Sequence, residues 1–464
     1  MKRIRKYWLG IAVLFAGWFI PTSCRKLTQT APAADLLTVS KVFSGDESAQ
    51  EAMSAFYIDM VFTPRSMMNA GTSLLAGLSG DELDCQIKPY PAEDSFRLNM
   101  LNANSVISNN LFTGAYALIY ELNSILEGVA HSTGMSVAVQ HELKGEAEFN
   151  RAMLYFYLVN LYGPVQLALK PNFQDNEQLA RTSVDSVYAQ LASDLEDAER
   201  LLPGDYIDAP GYTGDRTRPN QAAAAALLAR IRLYQGKWAS ADSAATAVIN
   251  NSHYVLETNL DSVFLSVSRE AIWQLQPVHG PVATVDASVF LTPPGKPAFV
   301  FTSGLLGAFE AGDLRRQHWT KSSLFGGVTY TYPYKYKSLN AGATTEYEMV
   351  LRLAEQYLIR AEAEVQEGDV SHAIADLNVV RFRAGLPAYS MGTTTAAIMA
   401  AVMQERRIEL MTEWGHRWLD LKRWGLANTV LSAEKPWWQT DDALYPIPAA
   451  QLQATPGMSQ NAGY

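Results

Sequence analysis

Apolar positions recur at three- and four-residue steps near 47–62, 105–130, 140–162, 183–202, 219–235, 238–250, 350–367, 370–384 and 395–425. That is the spacing that gathers side chains onto one face of a helix, and it predicts a mostly α-helical fold. Two helix pairs share an internal spacing: Ala229, Gly236 and Ala241 in one match Ala361, Gly368 and Ala373 in the other. Glycine closes the first helix and alanine lets the second approach, as in tetratricopeptide-type hairpins of about 34 residues. The two lie far apart in the chain, so they read as scattered hairpins forming a scaffold, not as a tandem array. Between about 252 and 345 the texture changes to prolines, glycines and alternation, which predicts loops and short strands carrying the ligand face. There Tyr330, Tyr332, Tyr334 and Tyr336 occupy every second position, placing four rings on one face of an extended strand. Packing against the helices accounts for the stripe as a whole, with Tyr330 at its loop end the ring best placed for a ligand.

The stretch 404–425 is the most distinctive. Met403, Arg407, Leu410, Trp414, Arg417, Leu421 and Trp424 fall on one helical face, so the face is apolar but carries two guanidiniums. Glu413 precedes Arg417 by four residues and Glu409 follows Arg406 by three, so intrahelical ion pairs of a few tenths of a kcal/mol each are available. Gly415 is expected to end or kink the first helix, leaving two helices at a corner. A packed, salt-bridged helix pair outweighs a catalytic carboxylate cluster as the reading of these charges.

With Glu405-Arg406-Arg407-Ile408-Glu409-Leu410 and then Glu413 to Trp424, the stretch resembles the C-terminal signature of SusD/RagB-family outer-membrane lipoproteins of Bacteroidetes. Leu78 to Glu82 resembles the family's early Asp-Glu element, Arg151 to Gly163 its aromatic helix and Gly312 to Arg316 its Asp-x-Arg turn. Ala354 to Pro387 and the ending Tyr445 to Tyr464 fit as well. The resemblance implies a SusD-like fold in which Arg406, Arg407, Glu409, Trp414, Arg417, Asp420 and Trp424 are structural. It implies a non-catalytic protein that binds a nutrient, foremost an oligosaccharide, and delivers it to a SusC-like TonB-dependent β-barrel transporter. It also implies that helical repeats face that partner while loops hold the ligand.

The N-terminus agrees independently. Lys2, Arg3, Arg5 and Lys6 precede a short apolar run, Tyr7 to Ile20, which reads as a signal peptide of residues 1–23. Pro21-Thr22-Ser23-Cys24 resembles a lipobox, making Cys24 the lipidation site and 24–46, rich in small and polar residues, a tether. The expected location is the outer membrane, lipid-anchored and facing the cell surface, although Arg25 and Lys26 replace the acidic residues often found after such a cysteine. The remainder, 47–464, reads as a single domain with a helical part to 250, a loop and strand part at 251–345 and a C-terminal helical part from 346. With Cys24 lipidated, Cys85 has no intrachain partner, so a large core must supply stability without disulfides. Loss of the four leader cations would take the formal net charge from −10 to −14, which argues against nucleic acid as a partner.

Candidate ligand residues come from irregular segments rich in aromatics: Tyr90, Phe96 and Arg97 in one, Trp319, Phe325 and Tyr330 in the other, with Trp437-Trp438 after Pro436 a further aromatic pair. Flat rings with a nearby guanidinium and amides suit a glycan or peptide groove. Catalysis finds little footing: the seven histidines make no His-Glu-x-x-His pair, and neither a nucleophile elbow nor a phosphate loop is present. Asp81, Glu82, Asp84 and Asp94 could offer calcium ligands, but acidic residues of an acidic chain read first as solvated, so no cofactor is expected. A lipid-anchored polysaccharide hydrolase and a scaffold without its own ligand remain the alternative readings.

Overall fold

The computed structural model describes residues 39–464 apart from 88–91, 207–214, 279–282, 292–294 and 340–344. The proposed leader, Cys24, most of the tether and Tyr90 therefore lie outside the described residues. A helical turn, Val39–Val42, precedes Phe43, which is buried and whose carbonyl accepts from Ser132 Oγ. Gly128 makes room for it, since a Cβ there would lie 2.1 Å from the Phe43 ring.

Long helices run Asp46–Phe62, Val106–His131, Val137–Tyr162, Val184–Leu201, Gln221–Tyr234, Trp238–Ile249, Leu353–Glu367, Val370–Arg383 and Thr395–Glu409. Ser136, Ser183, Asn220, Asp369 and Thr394 begin five of them, each accepting a hydrogen bond from a backbone N–H three residues on. Such caps satisfy donors that the first turn leaves unpaired. The two small-residue hairpins form as expected, with left-handed glycines Gly236 (φ 68°) and Gly368 (φ 85°) at their corners. Scattered along the chain, they come together in space as one scaffold. Ile359 and Ala363 of the second pack on Ala229, Leu233, Ala241 and Ala245 of the first, so the two form one stack and the intervening hundred or so residues are an excursion from it.

Among the described residues that excursion carries short antiparallel pairings: Ala271–Leu275 with Glu348–Arg352, Phe299–Phe301 with Leu83–Cys85, and the hairpin Thr320–Phe325 with Val328–Pro333. Residues 350–352, expected as helix, are instead the end of a fully buried strand, where Met349, Val350 and Leu351 are covered on both sides and the terminal Arg352 is satisfied by Glu270, Glu409 and Glu413. The tyrosine stripe is half absorbed by packing: Tyr332 and Tyr336 are buried and Tyr330 and Tyr334 half-buried.

The C-terminal signature breaks into helices Thr395–Glu409 and His416–Arg423 around Gly415 (φ 70°). A Cβ there would lie 2.6 Å from that of Ala76, so only glycine allows this close approach. Thr412 and Trp414 are also left-handed (φ 55° and 49°), conformations that cost on the order of 1–3 kcal/mol each. They are held from the early Asp-Glu element and its helix: Glu82 accepts from the Thr412 N–H at 3.1 Å and Ser73 Oγ from the Trp414 N–H at 3.0 Å. The intrahelical ion pairs expected here do not form. Arg417 and Arg407 both donate to Asp81 at 2.7 Å, Arg406 donates to Asp420 at 2.8 Å, and Glu413 accepts from Arg352 at 2.7 Å. Glu409 takes Arg315, Arg352 and Arg383, while Trp424 and Arg423 meet Glu362. The break at Gly415 removes the helical register between Glu413 and Arg417, and carboxylates this deep require several charged partners, which only distant segments supply.

Candidate functional site

Pairing of Leu83–Cys85 with Phe299–Phe301 is continued by the Gln86 N–H donating to the Ala298 carbonyl at 2.7 Å. It carries the segments after 86 and before 298 to one edge, where the 320–333 hairpin also lies. At the hairpin tip Gly326 and Gly327 both have positive φ (59° and 81°), the combination that lets a two-residue turn match strand twist. The tip is apolar and open to solvent: Leu324 is 73% exposed, Phe325 48% and Val328 51%. Behind it Tyr330 is half-buried, with Lys296 Nζ 5.2 Å from its ring centroid.

A polar cluster belongs to the same edge. Arg97 donates to Asp94 Oδ2 at 3.2 Å and its Nε lies 3.4 Å from Asp84 Oδ1, while Gln86 Nε2 donates to Asp84 Oδ2 at 2.9 Å. Strand Phe299–Phe301 lies between Leu83–Cys85 and Val328–Pro333, so the hairpin's rings and this guanidinium, amide and carboxylate cluster are carried on neighbouring strands, a donor and acceptor set suited to neutral hydroxyl-rich ligands. Burial pushes the Cys85 thiol up, away from thiolate character.

Three of the expected ligand residues, Arg97, Phe325 and Tyr330, lie in this region. Phe96 and Trp319 do not face ligand and are corrected to core. Phe96 is 0% exposed, edge-on to Tyr445 at 5.3 Å. Trp319 is 0% exposed; its indole N–H donates to the Leu260 carbonyl at 3.0 Å, and its ring is flanked by Lys335, Arg383 and Arg352 at 4.6, 5.6 and 5.9 Å. Three cations around one buried indole are a structural anchor. Lys296, Leu324 and Val328 border the same hairpin, but nothing local in the sequence marks a lysine or an aliphatic residue there.

Asp81 and Glu82 are not solvated but buried. Glu82 is pushed up to about 7 by burial and then by the Asp81 charge, so it is a partly protonated structural acceptor. Among the described residues, no group of three or more His, Cys, Asp or Glu is disposed to hold a metal ion, and no helix is long and apolar enough to cross a membrane.

Two family models match the chain. The one described as SusD family covers residues 309–464, and one described as starch-binding associating with outer membrane covers 91–233. A SusD-like protein of Formosa agariphila is 26% identical over 419 residues, 75% of this chain and 78% of the relative. Another, from Bacteroides ovatus, is 24% identical over 398 residues, 72% of this chain and 68% of the relative. Among solved structures, a SusD superfamily protein of Bacteroides vulgatus superposes with TM-score 0.79 at 21% identity, covering 91% of this chain and all of that one. A laminarin-binding SusD-like protein superposes with TM-score 0.74 at 24% identity, covering 90% of this chain and 99% of that one.

Proposed function

The chain belongs to the SusD family, and from that premise we propose that it is a non-catalytic, lipid-anchored outer-membrane protein. In this reading it binds an oligosaccharide at the hairpin edge and passes it to a TonB-dependent β-barrel partner. The observation that carries the reading is the solvent-exposed Phe325 on its two-glycine turn, set on the edge that holds Tyr330 and the Asp84, Gln86 and Arg97 cluster. A ring fixed in this way meets a sugar face without first being ordered, which lowers the cost of binding. The starch-binding family matched over 91–233 and the laminarin-binding structural relative favour a glycan as ligand over a peptide.

Arg97 lies between Asp84 and Asp94, so these carboxylates serve as acceptors fixed by a cation and not as a free acid and base pair. On that account ligand leaves chemically unchanged. Affinity electrophoresis of the soluble domain through gels containing laminarin, starch, xylan, mannan or galactan, with reducing-end analysis of each polysaccharide, tests the proposal. We expect retardation by at least one polysaccharide, no new reducing ends, and binding about tenfold weaker in Phe325→Ala, a loss of about 1.4 kcal/mol. Release of reducing ends would favour the hydrolase, and absence of any retardation would refute the binding reading.

A further inference from the structure

A second aromatic platform stands at the C-terminal end of the fold. The Ala427–Glu434 helix is followed by Lys435-Pro436-Trp437-Trp438, and the residues either side of Trp437 are clamped. Trp438 is buried, donates through its indole to Asn428 Oδ1 at 3.1 Å and packs edge-on to Trp418 at 5.9 Å. Lys435 Nζ donates to the carbonyls of Leu78 and Ser79 at 2.6 and 2.7 Å and to Asn99 Oδ1 at 2.9 Å. Between these anchors Trp437 is left 59% exposed. It borders a cleft of about 350 Å³ shared with Asn99, Met100, Gln439, Asp442 and Tyr464.

Burying an indole is worth several kcal/mol of transfer free energy, so a rigidly held one left in water is a feature that folding alone does not require. The surroundings select its occupant. Met100, 57% exposed, offers a second apolar contact, while the Asp442 carboxylate and the Gln439 side chain give the cleft a polar rim. One stacking face within a polar rim suits a sugar ring better than the broad apolar anchor of a protein partner. Met100 of the cleft follows Arg97 of the site above by three residues, so the two lie no more than about 11 Å apart even along a fully extended chain.

We propose that Trp437 and its cleft form a further saccharide subsite, in which the indole stacks on one ring of a glycan whose other end lies at the hairpin edge. The inference rests on the glycan-binding reading, and the test separates the two. Wild type, Phe325→Ala, Trp437→Ala and Trp437→Phe are run through gels of the same five polysaccharides, with melting curves for each variant. Expected is at least tenfold weaker binding of Trp437→Ala to whichever polysaccharide retards the wild type, near-wild-type binding of Trp437→Phe, and unchanged melting for both. Binding of Trp437→Ala within twofold of wild type, while Phe325→Ala is impaired, overturns the subsite and leaves the glycan reading intact. A wild type retarded by none of the five overturns both.

Discussion

Glu409→Gln probes the charge network on which the C-terminal signature depends. Glu409 is 0% exposed, accepts from Arg315 at 3.0 Å and pairs with Arg352 and Arg383. Burial alone would raise its pKa, but Arg383, Arg352 and Arg315 outweigh it and hold the carboxyl well below the ordinary value. Replacing the carboxylate by an amide leaves three buried guanidiniums undercompensated, and breaking such a pair costs about 3–5 kcal/mol. At about 2.1 cal/mol/K per residue, unfolding a chain of this length carries an entropy of roughly 0.9 kcal/mol/K, so the melting temperature should fall by about 3–6 °C. The sign with pH follows from linkage. A depressed carboxyl stabilises fully above its unfolded value and loses that contribution as pH falls towards its folded one. The wild-type advantage should therefore be complete at pH 7 and shrink below about 4.5, the ordinary carboxylate value. Calorimetry at pH 7 and pH 4 decides the matter: a shift below 1 °C at neutral pH, or an advantage that grows on acidification, would refute the reasoning.

Other expectations concern single groups. Trp319→Ala should lower stability by about 3–5 kcal/mol while the glycan affinity of the folded fraction stays unchanged; lost affinity with normal melting would restore the ligand role. Burial pushes Asp286 up to about 7, and Glu348 beside it is likewise raised well above its ordinary value. A carboxyl raised by folding stabilises most at low pH and loses that contribution as pH rises through its folded value. Asp286→Asn should therefore gain stability relative to wild type between pH 5 and pH 8 in denaturant titrations, and a constant difference would contradict this. Cys24→Ala should shift the protein from the membrane to the soluble fraction, an outcome that fractionation and immunoblotting read directly; undiminished retention in the membrane would exclude lipidation there.

How much was legible in the sequence depends on how local the cause is. The caps at Asn220 and Thr394, although local, emerged only from the structure, whereas helix existence followed from periodicity, which acts within four residues. Gly236, Gly368 and Gly415 were readable for the same reason. Ion-pair partners were not, since Asp81 meets Arg417 across 336 positions and no spacing rule reaches that far. Loop aromatics divided unpredictably: Phe325 and Trp319 sit in similar irregular contexts, yet Leu260, Lys335, Arg352 and Arg383 enclose only the second. Burial of a loop ring is decided by what folds over it, and that information lies in distant segments.

The central claim is that this chain binds nutrient on behalf of a transporter. Its most direct test is affinity purification of a C-terminally tagged copy, with Cys24 intact, from detergent-solubilised outer membranes, followed by mass spectrometry of what co-elutes. The account predicts stoichiometric recovery of a TonB-dependent β-barrel. Recovery of the tagged protein alone, under conditions that preserve such complexes, would contradict it.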